Sequence, residues 1–201
     1  DAAVSERNLD VKVIQADITL PGSGNSKIDL TANGLDQTRD TTAYFTAPTA
    51  ETNTEALAAA NGLLIVNGVP QAVITDMKIG LNGNGKPADA VVGNNVRPDI
   101  FTGKVMVSGS FTAYFEGGTI PDLFFNETST SIVGALTAGN AANADFMTYA
   151  MSRVDLNSST PDDGETGLKR TYNFVAEYNG AGGAALANNA TSFQLHDSQA
   201  A

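Results

Sequence analysis

Cysteine and tryptophan are absent from the 201 residues, and histidine occurs once, at His196. Without a thiol there is no disulfide, no thiolate nucleophile and no cysteine-based zinc site. A histidine zinc centre or a Ser-His-Asp triad could draw only on His196. That residue sits in the alternating "FQLHDS" and reads more simply as a solvated side chain on an edge strand. Basic residues are scarce: 11 Lys and Arg stand against 22 Asp and Glu, a formal charge of -11. Such a field repels phosphates, which excludes specific recognition of DNA or RNA through clustered cations. No apolar run has the length of a membrane span, and "DAAVSERNLD" lacks the basic, apolar and small-residue plan of a signal peptide. A chain opening on Asp1 is expected to be processed or to continue upstream.

What is present is globular in composition, with 42% hydrophobic residues, 16% charged residues and 20 glycines without a collagen-like period. The length suits a single domain, 1–201. Alternating segments separated by Gly, Asn, Asp, Ser and Pro clusters predict a mainly β chain. "LDVKVIQADITL" (9–20) and "SKIDLTANG" (26–34) are expected to pair across "PGSGN". "TAYFTAP" (41–48) reads as a short strand and "ETNTEALAAANG" (51–62) as a brief helical turn. Within 63–82, Asn67-Gly68 is a two-residue hairpin signal. A polar, glycine-rich stretch then leads to the clearest strand, 102–116, with Val105, Val107, Gly109, Phe111, Ala113 and Phe115 on one face. "PDLFFNETSTSIVGALTAG" predicts a helix over about 121–138, with Leu123, Phe124, Ile132, Val133 and Leu136 on an apolar stripe. Strands at 145–157, 167–180 and 191–198 complete the pattern.

Each candidate for chemistry fails on its own terms. "GLNGNGKP" (80–87) matches a phosphate-binding loop except that Pro87 replaces the hydroxyl residue. Gly93 and Pro98 also interrupt the helix such a loop requires. "DLNSSTPDDGET" (155–166) has carboxylates but lacks the order of a calcium loop, and a plain turn is favoured. Asn126 and Asn189 open N-x-T sequons, which arise readily in a chain rich in Asn and Thr. No pair of acids is anchored by spacing for glycoside hydrolysis.

From Leu63 onward, "NGLLIVNGVPQAVITDMKIGL", "VVGNNVRPDIFTGKVMVSGSFTAYFEGG", "DLFFNETSTSIVGAL", "TYNFVAEYNG" and "TSFQLHDS" follow one another in an order that resembles the tail tube proteins of long-tailed bacteriophages. The likeness is chiefly to the siphovirus-type major tail tube subunit. It implies a β-sandwich with one flanking α-helix, whose long hairpins join those of neighbours in a multi-subunit β-barrel. Residues 63–201 would form the core tube fold, and 1–62 either strands of a second sheet or an added segment. Hexameric rings would stack into a hollow tube in the virion, assembled in the host cytoplasm, through which genome DNA passes without specific binding. Tape-measure and tail-end proteins would be partners, with no membrane, no cofactor, no metal and no catalytic residue. The implied channel lining is Asp76, Lys104, Ser108, Ser110, Thr112, Asn173 and Glu177, although the same residues would suit the solvated face of a sandwich. Asn82, Gly83, Asn84, Gly85, Lys86, Asn94 and Asn95 would belong to a loop reaching the adjacent ring. Closing open strand edges with identical neighbours gives an independent physical reason for such an assembly. The alternative is a secreted or surface β-sandwich binding module for carbohydrate or adhesion. The absence of Trp and the 5 Tyr count against it, and an enzyme lacks its constellation.

Overall fold

The computed structural model describes residues 4–42, 47, 57, 62–71, 74–94, 96–114, 118–139, 141, 143–162, 164, 167–181 and 190–198. Most of the expected strand at 41–48 and helical turn at 51–62, together with Phe115, Asn95 and Asn189, lie outside these residues. The chain divides into a smaller unit, Asp1–Ala16, Asp29–Thr54 and Leu81–Val105, and a larger one, Asp17–Ile28, Glu55–Gly80 and Met106–Ala201.

The larger unit is mainly β. Its strands are β2 (Lys12–Leu20), β3 (Lys27–Asn33), β5 (Leu63–Val66), β6 (Val69–Pro70), β7 (Ile74–Asn82), β10 (Met106–Tyr114), β11 (Thr130–Thr137), β12 (Phe146–Asp162), β13 (Lys169–Ala176) and β14 (Gln194–Asp197). They form one ten-stranded sheet in the order β3-β2-β7-β10-β13-β12-β11-β5-β6, with β14 against β12. β2, β3 and β7 contribute residues to both units. The sheet turns on β12. Its first half pairs with β11 (Phe146 with Thr137) and β14, and its second half with β13 (Asp162 with Lys169). Register shifts between Thr130 and Ile132 on the β11 side and between Leu156 and Ser158 on the β13 side mark irregularities where such a strand can bend.

The apolar faces meet as in a sandwich. A Cβ at Gly134 of β11 would lie 3.5 Å from Leu20 and 3.7 Å from Leu64, so side chains of β2 and β5 reach the same point of β11. Phe111 is fully buried, with ring centroids 5.3 Å from Tyr172 and 6.3 Å from Phe174. Val107, Ala113, Met77, Ile79, Tyr149, Met151 and Val154 share the buried set. The Asn67-Gly68 hairpin forms as the sequence predicts: Val66 pairs with Val69, and both turn residues have positive φ, 52° and 75°.

The helix expected over 121–138 is corrected. Helix α1 covers Thr119–Phe125 only, and Thr130–Thr137 is strand β11. The stop is a Schellman arrangement: the Thr128 N–H donates to the Leu123 carbonyl at 3.0 Å, the Glu127 N–H to that of Phe124 at 3.2 Å, and Glu127 takes φ 49°. β-branched Thr128, Thr130, Ile132 and Val133 then favour an extended chain. Burial alternates strictly along β11, with Thr130, Ile132, Gly134 and Leu136 inward.

The turn expected at 155–166 is also corrected, since β12 runs through to Asp162. Pro161 is tolerated because this half of β12 pairs with β13 on one side and with no strand on the other among the described residues. The strand expected over 102–116 begins at Met106.

The smaller unit contains two hairpin-like pairs. β1 (Ser5–Leu9) pairs with β4 (Asp36–Asp40), and β8 (Lys86–Pro87) with β9 (Ile100–Phe101). β1 and β4 carry little apolar surface. An Arg39–Glu6 ion pair at 2.6 Å supplements their backbone ladder.

Candidate functional site

Two surfaces concentrate the residues singled out from sequence. The first is the face of β7, β10, β13 and β12 opposite the buried core of the larger unit. Alternation places Val107, Phe111 and Ala113 inward and Ser108, Ser110 and Thr112 outward on β10. On β13 it places Tyr172, Phe174 and Ala176 inward and Thr171, Asn173 and Val175 outward. The register aligns these into rows: Thr112 with Thr171 and Thr160, Ser110 with Asn173 and Ser158, and Ser108 with Val175 and Asp155.

Within the rows several of the polar groups bond to one another. The Thr112 and Thr171 hydroxyls are 3.0 Å apart, and Thr112 Oγ1 donates to Asp76 Oδ1 at 3.4 Å. Thr75 Oγ1 donates to Asp76 Oδ2 at 3.2 Å, and Asn173 Nδ2 to Ser158 Oγ at 2.7 Å. Asp155 accepts from the Ser129 hydroxyl. Five of the expected lining residues, Asp76, Ser108, Ser110, Thr112 and Asn173, therefore lie on one continuous face. Glu177 lies just past β13, paired with Arg153 at 3.2 Å, and its N–H donates to the Arg153 carbonyl. Lys104 is not on the strand; it precedes β10 in the smaller unit, where its carbonyl accepts from Asn84 Nδ2 at 2.8 Å.

Sequence reasoning missed Thr171, Ser158, Thr160 and Asp17. The first shares parity with Asn173, which was a usable signal. Ser158 and Thr160 were hidden in the presumed turn. Asp17 is placed by Gly80, where a Cβ would stand 3.2 Å from Asp17 Oδ1. Lys78, exposed between buried Met77 and Ile79, adds a cation to the same face.

The second surface is the segment 82–99 of the smaller unit. Its base is anchored. The Gly83 N–H donates to the Ile14 carbonyl at 2.8 Å, and the Gly83 carbonyl accepts from the Gly103 N–H at 3.0 Å. A Cβ at Gly85 would fall 2.2 Å from Ile14 Cγ2, so this glycine is required by close approach. Asn82 Oδ1 accepts from the Asn84 N–H at 2.8 Å, and Asn84 takes φ 49°. Lys86 enters β8 opposite Phe101, so the phosphate-loop reading loses its helix.

Lys12 ties down the far end, reaching Asp99 Oδ1 at 2.8 Å and the Ile100 carbonyl at 2.9 Å. This contact, with the Ile100 N–H behind it, holds the Asp99 carboxyl below the usual carboxylate range. Beyond the base, the tip is exposed: Val92 stands wholly in solvent and Val91 is 47% exposed. Asn94 closes the tip, its N–H donating to the Val91 carbonyl at 3.3 Å and its Oδ1 accepting from the Val96 N–H at 3.0 Å.

Neither surface converges on chemistry. Among the described residues no three His, Asp or Glu side chains gather as a metal would require, and no helix is long and apolar enough to cross a membrane. The profile of a family described as phage tail tube protein matches residues 2–195. The chain belongs to the phage tail tube protein family. It is a structural tail tube protein and a component of the virion tail, which implies a multi-subunit assembly. The match takes in residues 2–62 as well as the later strands that resemble the family by sequence. No curated protein matches the chain.

Proposed function

We propose that this tail tube protein closes into hexameric rings that stack, ring on ring, into a hollow tube conducting genome DNA from capsid to host. The whole chain acts as one tube-forming subunit of the siphovirus type. It assembles in the host cytoplasm, with a tape-measure protein and tail-end proteins as partners. The face carrying Asp76, Ser108, Ser110, Thr112 and Asn173 lines the channel, joined by Thr171, Ser158 and Thr160.

One observation carries the reading. Among the described residues the sheet has long open borders: β3, with Ile28 46% and Leu30 63% exposed, and the second half of β12. Open edges of this length invite pairing with another chain. Two different edges on one molecule make a head-to-tail contact, which ring symmetry can close. The joined sheets form a barrel with no edge left.

The test places Ile28→Lys and Leu30→Lys together in the full chain. Both sites are exposed, so the melting temperature should be almost unchanged. Electron microscopy of wild-type protein should show rings or tubes of uniform bore, and the double variant should remain monomeric. A wild-type chain that is monomeric at every concentration, or a double variant that still assembles, refutes the proposal.

A further inference from the structure

The exposed tip between β8 and β9 has features that call for a socket. Val92 is 106% exposed and Val91 47%, which places a branched apolar pair in water at the end of a hairpin. The tip is pre-formed, closed by the Asn94 bonds and by the Ala88 N–H donating to the Asp99 carbonyl at 2.8 Å, with Gly93 at φ 85°. Exposed Arg97 adds a cation that makes no ion pair among the described residues. An ordered apolar knob loses little conformational freedom on docking.

The larger unit carries a groove of complementary character beside the end of α1. It is about 630 Å³ in volume and is lined by Phe124, Phe125, Glu127, Asp155 and Leu156. Phe125 is 68% exposed, too much aromatic surface for a side chain whose only role is the subunit's own core. Two carboxylates thus stand beside an apolar floor, as an apolar segment with one cation would require.

We propose that the tip of one copy docks in this groove on a second copy. Val91 and Val92 lie against Phe124, Phe125 and Leu156, and Arg97 faces Glu127 and Asp155. The inference rests on the stacked-tube reading, within which it identifies the contact between successive rings. Knob and socket are different surfaces of one chain, so every copy offers both. A heterologous contact whose rotation does not close on itself propagates along an axis, as stacking requires.

The absence of cysteine gives a direct test. Full-length protein carrying both Val92→Cys and Phe125→Cys is oxidised under assembly conditions and run without reductant. Disulfides form only where Cα atoms come within about 7 Å. A ladder extending well beyond dimers is expected from the double variant, with each single variant giving dimers at most. In parallel, Arg97→Glu and Glu127→Arg should each raise the concentration at which tubes appear on the order of tenfold while single rings persist, and the two together should restore it. Val92 is wholly exposed, so Val92→Asp is a further variant whose folding is not at risk; it should leave rings that fail to stack. Wild-type tubes with no ladder and no response to Val92→Asp or the charge reversals overturn this contact alone. A wild-type chain that never oligomerises overturns the tube reading and this contact together.

Discussion

Gly109 in the middle of β10 provides the sharpest test of how the sheet is packed. A Cβ there would lie 2.1 Å from the Lys78 carbonyl oxygen and 2.5 Å from Cζ of Phe174. The first obstacle is backbone of the neighbouring β7. The second is a ring only 1% exposed whose own centroid is 6.3 Å from Phe111. Neither can withdraw by an ångström without displacing a second group. Gly109→Ala therefore sits at the upper end of the cost of overpacking a core, about 3 kcal/mol. For a chain of this size each kcal/mol lowers the melting temperature by about 2–4 °C, so a fall of about 6–12 °C is expected. Assembly would add its own stabilisation, and the comparison belongs in the Ile28→Lys, Leu30→Lys background, followed by circular dichroism. Gly139→Ala is the control, since a Cβ there meets nothing within 4 Å. A Gly109→Ala protein that melts within about 1 °C of its parent would show that β7 and β10 are not held this closely.

Two further outcomes follow from local geometry. Gly68→Ala forces a side chain into φ 75° at the β5–β6 turn and should cost about 1–2 kcal/mol, read as a shift in the urea midpoint at unchanged slope. An unchanged midpoint would mean that the turn relaxes to another type. Asp99 titrates below its ordinary value because Lys12 and the Ile100 N–H favour its charged form. Its contribution is fully present above the unfolded-state value of about 4 and is lost as pH falls through the lower folded value. Protection factors of the Ala88 and Ile100 amides, corrected for the intrinsic exchange rate at each pH, should fall on acidification in wild type and be less pH-dependent in Lys12→Met. Equal pH dependence in the two proteins would remove Lys12 from the account.

Where alternation and burial coincide, the sequence was legible. The inward run Val107, Phe111 and Ala113 on β10 needs only a period of two. The pair α1 and β11 was not, because Leu123, Phe124, Ile132, Val133 and Leu136 fit a helical stripe as well as two short elements. What separates them is a backbone cap at Glu127, which no side-chain periodicity records. β1 and β4 were missed for the opposite reason: "DQTRD" has no apolar residue, and its pairing rests on backbone bonds and one ion pair. The second half of β12 reads as a turn because Asn, Ser, Pro and Asp favour turns locally, and pairing with β13 overrides that preference. At the tip of 82–99, Val91 and Val92 are embedded in a stretch that reads as polar and glycine-rich, and only the fold shows them as an exposed apolar pair.

The hydroxyl-rich face gains meaning from what its groups are already doing. Asp76 accepts from Thr75 and Thr112, Thr112 is within reach of Thr171, and Asn173 donates to Ser158. Donors engaged in this way are not offered to a passing phosphate. The charges of the face compound the effect, since Asp17 and Asp76 share it with the exposed Lys78 of β7. Each added cation would contribute a phosphate contact, and contacts of this kind multiply, so that six to ten of them change affinity by about 10³–10⁵ over a modest range of salt. In the proposed tube, ring symmetry would repeat every residue of the wall around the bore, and stacking would repeat it along the axis. A single Ser→Lys exchange per chain would therefore become a lattice of clamps. In the proposed tube, conduction depends on keeping this face poor in free donors, and the same strands can do so only because their other side, packed around Phe111, holds the register that pairs hydroxyl with hydroxyl.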